Sequence, residues 1–456
     1  VRTSKESAMT LTPTRTSSRT ATPPLIDDAP LSAFHRKLTV FSSAGPFIDG
    51  YAISIIGLTW PTMTQAVPIS TSDQGLIAAA VLVGIFVGGL VFGRVTDAVG
   101  RHRPYVAVPL AILVVSMLSF AVSNVWQILA LRFLTGLAIG ADYPIATSLL
   151  AEFLPSKNRG RMLGATFVVW TAGAAAAPAI AMMCTAWGGA AAWRWMLASS
   201  GFLALVVFFM RLHTPESARW LQSKGRLDEA EHVITTVFGP QYDIRSLGEP
   251  ESVPEGKASY GTVFRAPYLT RTLFVGIFWM CQVIPLFSIY SFSYDLLATV
   301  SIKGNGAEFF LNALFVVGGV AGLLLVDRVG RKNLLIYSFG VITVVWFLAG
   351  LIPGLPALVT LAAVCIFAIL NGGSNFLEVV YPNELFPTEV RATATGIGTA
   401  ASRIGAAVAV YLMPFALQHG VNVVLIAGAI VSLVGLAVTL AWGVETAGKS
   451  LSTAAG

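Results

Sequence analysis

Charge is scarce in this sequence. Only 11% of its 456 residues are Asp, Glu, Lys or Arg, against 55% apolar, and the mean hydropathy is +0.74. Soluble domains carry about 25% charged residues, so a soluble enzyme is excluded and lipid is the expected solvent for most of the chain. Cysteine is scarce too. Cys184, Cys281 and Cys365 lie in apolar runs without metal-ligand spacing, so they read as small packing residues and no metal site is expected. No phosphate-cradling Gly-rich loop and no nucleophile motif is present, so neither ATP nor catalysis is implied.

What is abundant is apolar sequence. Runs of about 18 to 25 residues, each able to cross a hydrocarbon core about 30 Å thick, recur twelve times. They divide the chain into a polar, disordered cytoplasmic tail (1–37), six spans (38–211), a central cytoplasmic loop (212–269), six more spans (270–443) and a short cytoplasmic tail (444–456). Within the central loop, Leu227 to Phe238 is amphipathic and is expected to form a short helix at the membrane surface. The formal charge of +6 does not gather into a nucleic-acid patch. Arg94, Arg101 and Arg103 follow span two, Lys157, Arg159 and Arg161 follow span four, Arg328, Arg331 and Lys332 follow span eight, and Arg391 follows span ten. The intervening loops are nearly free of Lys and Arg, so by the positive-inside rule both termini face the cytoplasm.

The two sets of six spans are related. Asp97-Ala98-Val99-Gly100-Arg101 after span two matches Asp327-Arg328-Val329-Gly330-Arg331 after span eight. Glu152, Pro155, Arg159 and Gly164 after span four match Glu384, Pro387, Arg391 and Gly396 after span ten at one constant offset. Solvation of helix ends explains the sign of these charges but not the repeated carboxylate-to-arginine spacing. A charge-paired cytoplasmic gate built from Asp97, Arg101, Glu152, Arg159, Asp327, Arg331, Glu384 and Arg391 explains both. Exposed pairs contribute only about 0 to 1 kcal/mol each, so several must act together.

These loops, with Thr214-Pro215-Glu216-Ser217-Ala218-Arg219-Trp220-Leu221 after span six, Pro382 to Arg391, and the closing Val444 to Leu451, resemble the major facilitator superfamily over residues 41 to 451. The likeness is greatest to its sugar-porter and metabolite/proton-symporter branch. It implies an all-α membrane fold of twelve helices in two pseudo-symmetric six-helix bundles around a central cavity, working by alternating access, usually as a monomer. The sequence departs from that pattern at Ala98, where the family usually has Arg, and at Ala218, where Pro is common. In span seven a single Gln282, in Trp279-Met280-Cys281-Gln282, stands where sugar porters have a glutamine pair.

Charges inside the spans are costly and ask for a partner or a role. Asp49 lies mid-way along span one and Arg132 on span four, helices that are adjacent in the family, whose proton-coupled members carry an acid and an arginine at such places. Asp49 is therefore expected to pair with Arg132 and to carry the coupling proton. Asp142, in Gly140-Ala141-Asp142-Tyr143-Pro144, resembles a motif of phosphate and organic-acid transporters and reads as a second protonation or substrate-contact site, with Tyr143 at the substrate. Arg403 in span eleven resembles the organic-anion carriers, where a guanidinium seats a carboxylate. Trp279, Gln282, Tyr290, Tyr294, Asn371, Asn375 and Glu378 complete the expected lining. Asp295 and Glu308 read as solvated residues flanking an outer loop, and Gly84, Gly88 and Gly89 as helix-packing positions.

Together these readings describe a proton-coupled importer of a small organic anion in the cell inner membrane, with no cofactor beyond the coupling proton. Sugar or polyol symport, phosphate symport and drug or metabolite efflux are the alternatives within transport. A nutrient sensor that binds without turnover is the alternative outside it.

Overall fold

A computed structural model describes residues 24–247, 262–299, 305–352, 354–386 and 388–446. The described chain is all-helical. Its α-helices are α1 (Ala33–Ala66), α2 (Thr71–Val99), α3 (His102–Met117), α4 (Val125–Phe153), α5 (Ser156–Gly188), α6 (Ala192–Arg211), α7 (Ala218–Ser223), α8 (Leu227–Phe238), α9 (Leu269–Thr299), α10 (Asn305–Val329), α11 (Arg331–Leu351), α12 (Ala357–Asn375), α13 (Leu377–Leu385), α14 (Thr388–Gln418) and α15 (Val421–Trp442). Ten stretches of the described chain are long and apolar enough to span a bilayer, and one of them, Met162–Arg211, holds both α5 and α6. The remaining long helix, α1, is diluted by Asp49, by Pro46 and Pro61 and by its Ser and Thr residues. α12 and α13 form one broken span.

The two halves pack alike. α1 lies on α5, α2 on α4 and α3 on α6; α9 lies on α14, α10 on α12 and α11 on α15. Small residues make the closest of these approaches possible. A Cβ on Gly84 of α2 would sit 2.2 Å from the Phe133 carbonyl oxygen, and one on Gly136 of α4 2.1 Å from that of Val81. In the other half, a Cβ on Gly318 of α10 would lie 2.2 Å from the Ile369 carbonyl, and one on Gly372 2.4 Å from that of Phe315. Gly88 repeats the pattern, whereas Gly89 would only reach ordinary contact at 3.7 Å. Dispersion contacts between backbones, rather than a hydrophobic driving force, hold such helices together in lipid.

Between the halves, α1 meets α9, α2 meets α14 and α5 meets α10. At the outer side these contacts are closed. Trp60 Nε1 donates to the Ser291 carbonyl at 3.0 Å and its ring stacks on Phe292 at 5.7 Å, where α9 kinks through non-helical φ/ψ. Gln418 Nε2 donates to Thr71 Oγ1 at 2.6 Å across α14 and α2.

The amphipathic helix forms over the expected residues but does not rest on the membrane with its apolar face. Ala230 and Ile234 are fully buried, and Ile234 packs with Ile26, Ala29, Ala218, Tyr242 and Leu247, while Phe238 stacks on Phe153 at the inner end of α4. The chain before α1 supplies the cover that the expectation assigned to lipid.

Candidate functional site

At the centre of the bundle Asp49 is fully buried. Its Oδ2 accepts hydrogen bonds from the Tyr143 hydroxyl and from Trp170 Nε1, the latter at 2.7 Å, and its Oδ1 has no donor. Two glycines let α1 and α5 approach closely enough for this: a Cβ on Gly50 would lie 2.1 Å from the Trp170 carbonyl, and one on Gly173 2.0 Å from the Phe47 carbonyl. The expected Asp49–Arg132 pair is not made. Arg132 NH1 donates instead to the Ala52 carbonyl at 2.9 Å, with its Nε and NH2 unpartnered. From α4 the arginine reaches the α1 backbone one turn beyond the acid, and the carboxylate is taken by neutral donors from α4 and α5. Trp170 was not singled out in the sequence, where a Trp within a span reads as packing.

Asp142 does not open onto the central space. Arg211, at the end of α6, grips it through NH1 at 2.5 Å and NH2 at 3.0 Å, with side-chain exposures of 0% and 5%. The same guanidinium donates to the carbonyls of Phe41 and Tyr105, both at 3.2 Å, and lies 4.1 Å from the Tyr105 ring centroid. Gly45 of α1 makes room, since a Cβ there would strike the Asp142 carboxylate. Arg211 was not singled out in the sequence, where its place at the end of a span does not mark its partner.

The C-terminal half supplies the opposite charge. Arg403, 8% exposed, places its guanidinium 5.9 Å from the Tyr143 ring centroid and 5.0 Å from that of Phe287, with Nε unpartnered. No carboxylate among the described residues lies within ion-pair distance of it. Tyr143 therefore touches both Asp49 and Arg403, one from each half. Around them Gln282 Nε2 donates to Ser374 Oγ at 2.9 Å, Asn371 Nδ2 donates to the Gln282 carbonyl at 3.2 Å, and the Asn375 amide, in the orientation that satisfies both groups, donates to the Glu378 carboxylate at 2.7 and 3.1 Å. Trp279 is buried against Gly398. Tyr290 is buried, with its ring 5.6 Å from Trp170, while Tyr294 is partly buried one turn further out. The structure thus gathers Asp49, Tyr143 and Arg403, groups the amides with Glu378, and separates Arg132 and Asp142 from both.

At the inner face the repeat is structural as well as sequential. Arg101 pairs with Glu152 at 3.3 Å, and Arg331 pairs with Glu384 at 3.1 Å and with Asp327 at 3.0 Å. Glu216, after α6, accepts the backbone N–H of Arg101 at 2.9 Å and of His102 at 3.1 Å; Glu445, after α15, accepts those of Arg331 at 2.9 Å and Lys332 at 3.1 Å. Each glutamate caps the start of the third helix of its own half. Gly100 and Gly330, at φ +100° and +89°, make the turns, and a Cβ on either would lie 2.4 Å from the capping carboxylate. Arg159 departs from the expected pattern. It reaches Asp27, ahead of α1, at 2.8 Å, and Arg219 meets the same carboxylate at 3.3 Å. None of these pairs crosses between the two halves: the Arg101 and Arg331 pairs staple each bundle internally, and the Asp27 pairs tie the segment ahead of α1 to α5 and α7. The side chains of Asp97 and Arg391 lie outside the described residues.

Comparison with known proteins agrees with this architecture. The family described as "Sugar (and other) transporter" matches residues 29–455. The chain belongs to that family, and so to the major facilitator superfamily. Among its relatives, the inner membrane metabolite transport protein YgcS of Escherichia coli is 35% identical over 426 residues, covering 93% of this chain and 94% of that protein. The 4-hydroxybenzoate transporter PcaK of Pseudomonas aeruginosa is 29% identical over 403 residues, covering 84% and 87%. The partially occluded inward-open structure of the xylose transporter XylE from E. coli superposes with a TM-score of 0.78 over 92% of this chain and all of that one, at 18% identity, a likeness of fold. The chain is accordingly a multi-pass membrane transporter of twelve spans.

Proposed function

We propose that this transporter carries a small organic anion, a monocarboxylate or aromatic acid, together with a proton across the cell inner membrane, as a monomer with both termini cytoplasmic. The observation that carries the reading is the single tyrosine, Tyr143, that bonds the buried acid Asp49 on one side and faces the unpaired guanidinium of Arg403 on the other. A carboxylate bound to Arg403 and a proton on Asp49 would then be coupled through one side chain between the two halves. Phe287, Tyr143 and the nearby Trp170 and Tyr290 give an aromatic surround that suits a flat ring. Electrostatics favour one proton per monoanion. An interior-negative potential opposes anion entry by about 2.3 kcal/mol per charge per 100 mV, and an accompanying proton cancels that opposition. The relative PcaK is named for an aromatic monocarboxylate.

A second reading, sugar or polyol symport, is favoured by the amides Gln282, Asn371 and Asn375, which suit hydroxyl groups.

The test is lumenal pH in proteoliposomes loaded with a pH dye, on adding aromatic and aliphatic carboxylates, phosphate, and sugars in turn. Acidification is expected with a carboxylate, lost in Asp49→Asn and, for the anion alone, in Arg403→Gln. Acidification with sugars only would move Arg403 to a packing role, and tracer exchange without any pH change would refute proton coupling.

A further inference from the structure

Glu308 is not solvated as its place beside an outer loop suggests. It is 1% exposed, and neither of its carboxylate oxygens meets a hydrogen-bond donor. Asn312, one turn along α10 and 2% exposed, directs its Nδ2 to the Glu308 carbonyl at 2.8 Å, which leaves Oδ1 unpartnered as well. Asp295, partly buried, lies at the outer end of α9, the helix that precedes α10.

These are all acceptors. The helices packed on α10 offer no counter-cation at this depth: α9 has no Lys or Arg after Arg271, α10 none before Arg328, α5 none after Arg161, α11 none after Lys332, and α12 none at all. The other ionisable side chains on those segments are Cys281, Tyr290 and Tyr294 of α9, Asp327 at the far end of α10, Tyr337 of α11, Cys184 of α5 and Cys365 of α12. Lys303 lies outside the described residues. Buried acceptors without donors are tolerated when a proton or a cation neutralises them. One carboxylate and one amide oxygen suit a monovalent ion, and among the described residues no cluster of three metal-ligating side chains is present.

We propose that the buried Glu308 and Asn312 form a second cation site at the outer end of the C-terminal bundle, which takes a proton or a sodium ion. The site is linked inward by contact. Phe315, on the next turn after Asn312, packs on Tyr290 at 5.0 Å, Tyr290 packs on Trp170 at 5.6 Å, and Trp170 donates to Asp49 at 2.7 Å. The Tyr290 hydroxyl on this line is itself buried without a partner. Only this connection rests on Asp49 being the proton-carrying acid; the outer site stands without it.

The experiment is infrared difference spectroscopy of the full-length protein in nanodiscs, titrated with pH in sodium-free buffer and then with NaCl at fixed pH. A carboxyl vibration that disappears in Glu308→Gln and persists in Asp49→Asn is expected. Its response to pH alone identifies a proton site, and its response to NaCl a sodium site. Asn312→Leu retains the acid and is expected to shift that titration, which keeps the test available where Glu308→Gln does not fold. A Glu308 vibration that responds to neither pH nor sodium overturns the proposal. Loss of the Asp49 vibration in Asp49→Asn is read separately, so failure at one acid does not imply failure at the other.

Discussion

Replacing Asp142 with Asn separates two roles that a buried acid in a transporter can have. In the structure Asp142 is one partner of a closed ion pair, and Arg211 has the Phe41 and Tyr105 carbonyls as its other acceptors. Removing one charge of such a pair leaves the other buried and uncompensated, which costs about 3–5 kcal/mol. Asn retains an acceptor oxygen and Arg211 retains its carbonyls, so the lower end applies, about 3 kcal/mol, or roughly a hundredfold in the ratio of folded to unfolded protein. The double variant Asp142→Asn, Arg211→Met removes the stranded charge and is expected to recover part of that loss, the signature of direct coupling between the two sites. Thermal unfolding of the purified protein, followed by tryptophan fluorescence and size-exclusion chromatography, reads both. Wild-type stability in Asp142→Asn, accompanied by loss of proton uptake but not of substrate exchange, would refute the structural reading and return Asp142 to the coupling machinery.

Two further outcomes follow from contacts already described. Gly84→Ala and Gly318→Ala each drive a Cβ into a backbone carbonyl at 2.2 Å and are expected to abolish monodisperse protein on size exclusion, whereas Gly164→Ala and Gly396→Ala meet nothing within 4 Å and are expected to behave as wild type. Glu216→Ala and Glu445→Ala remove the acceptor of three amides each, two of them at a helix start, so hydrogen exchange at Arg101 and His102, or at Arg331 and Lys332, is expected to accelerate about tenfold, the equivalent of one charged hydrogen bond of about 1.5 kcal/mol. Unchanged protection would mean that neighbouring groups hold these helix starts.

The architecture was legible because lipid imposes long apolar runs and because the duplication repeats its turns at fixed spacing. Glu152, Glu384, Arg101 and Arg331 could be chosen from that repetition alone, and all four enter ion pairs. The partners were harder to read. Arg211 was not singled out, since a place at the end of a span does not name a partner, and nothing in an apolar run marks Trp170 as the donor to Asp49. Arg132 illustrates the opposite error, since an acid and an arginine on adjacent helices do not pair when a backbone carbonyl lies nearer. Glu308 was misjudged because depth, unlike periodicity, is a property of neighbours: its outer-loop position says nothing of the α9 and α10 surfaces that cover it.

The repeat also bears on why the central charges are divided as they are. At the offset that maps Glu152 onto Glu384, Arg403 falls on Thr171, beside Trp170, and Asp49 falls within the Trp279–Gln282 stretch. The packed pairs α1 with α5 and α9 with α14 are thus equivalent scaffolds, yet the acid is kept on the first and the arginine on the second. Were both on one half, they would travel together and a change in one would not be felt across the interface. Divided, they meet through Tyr143 across the interface between the halves. On the proposed function, with Glu378 protonated, an ionised Asp49 and Arg403 on either side of Tyr143 sum to zero charge. Protonation of Asp49 leaves one positive charge, the condition under which a monoanion is best held, so loading of proton and anion would reinforce each other by about the strength of one partly buried charge pair.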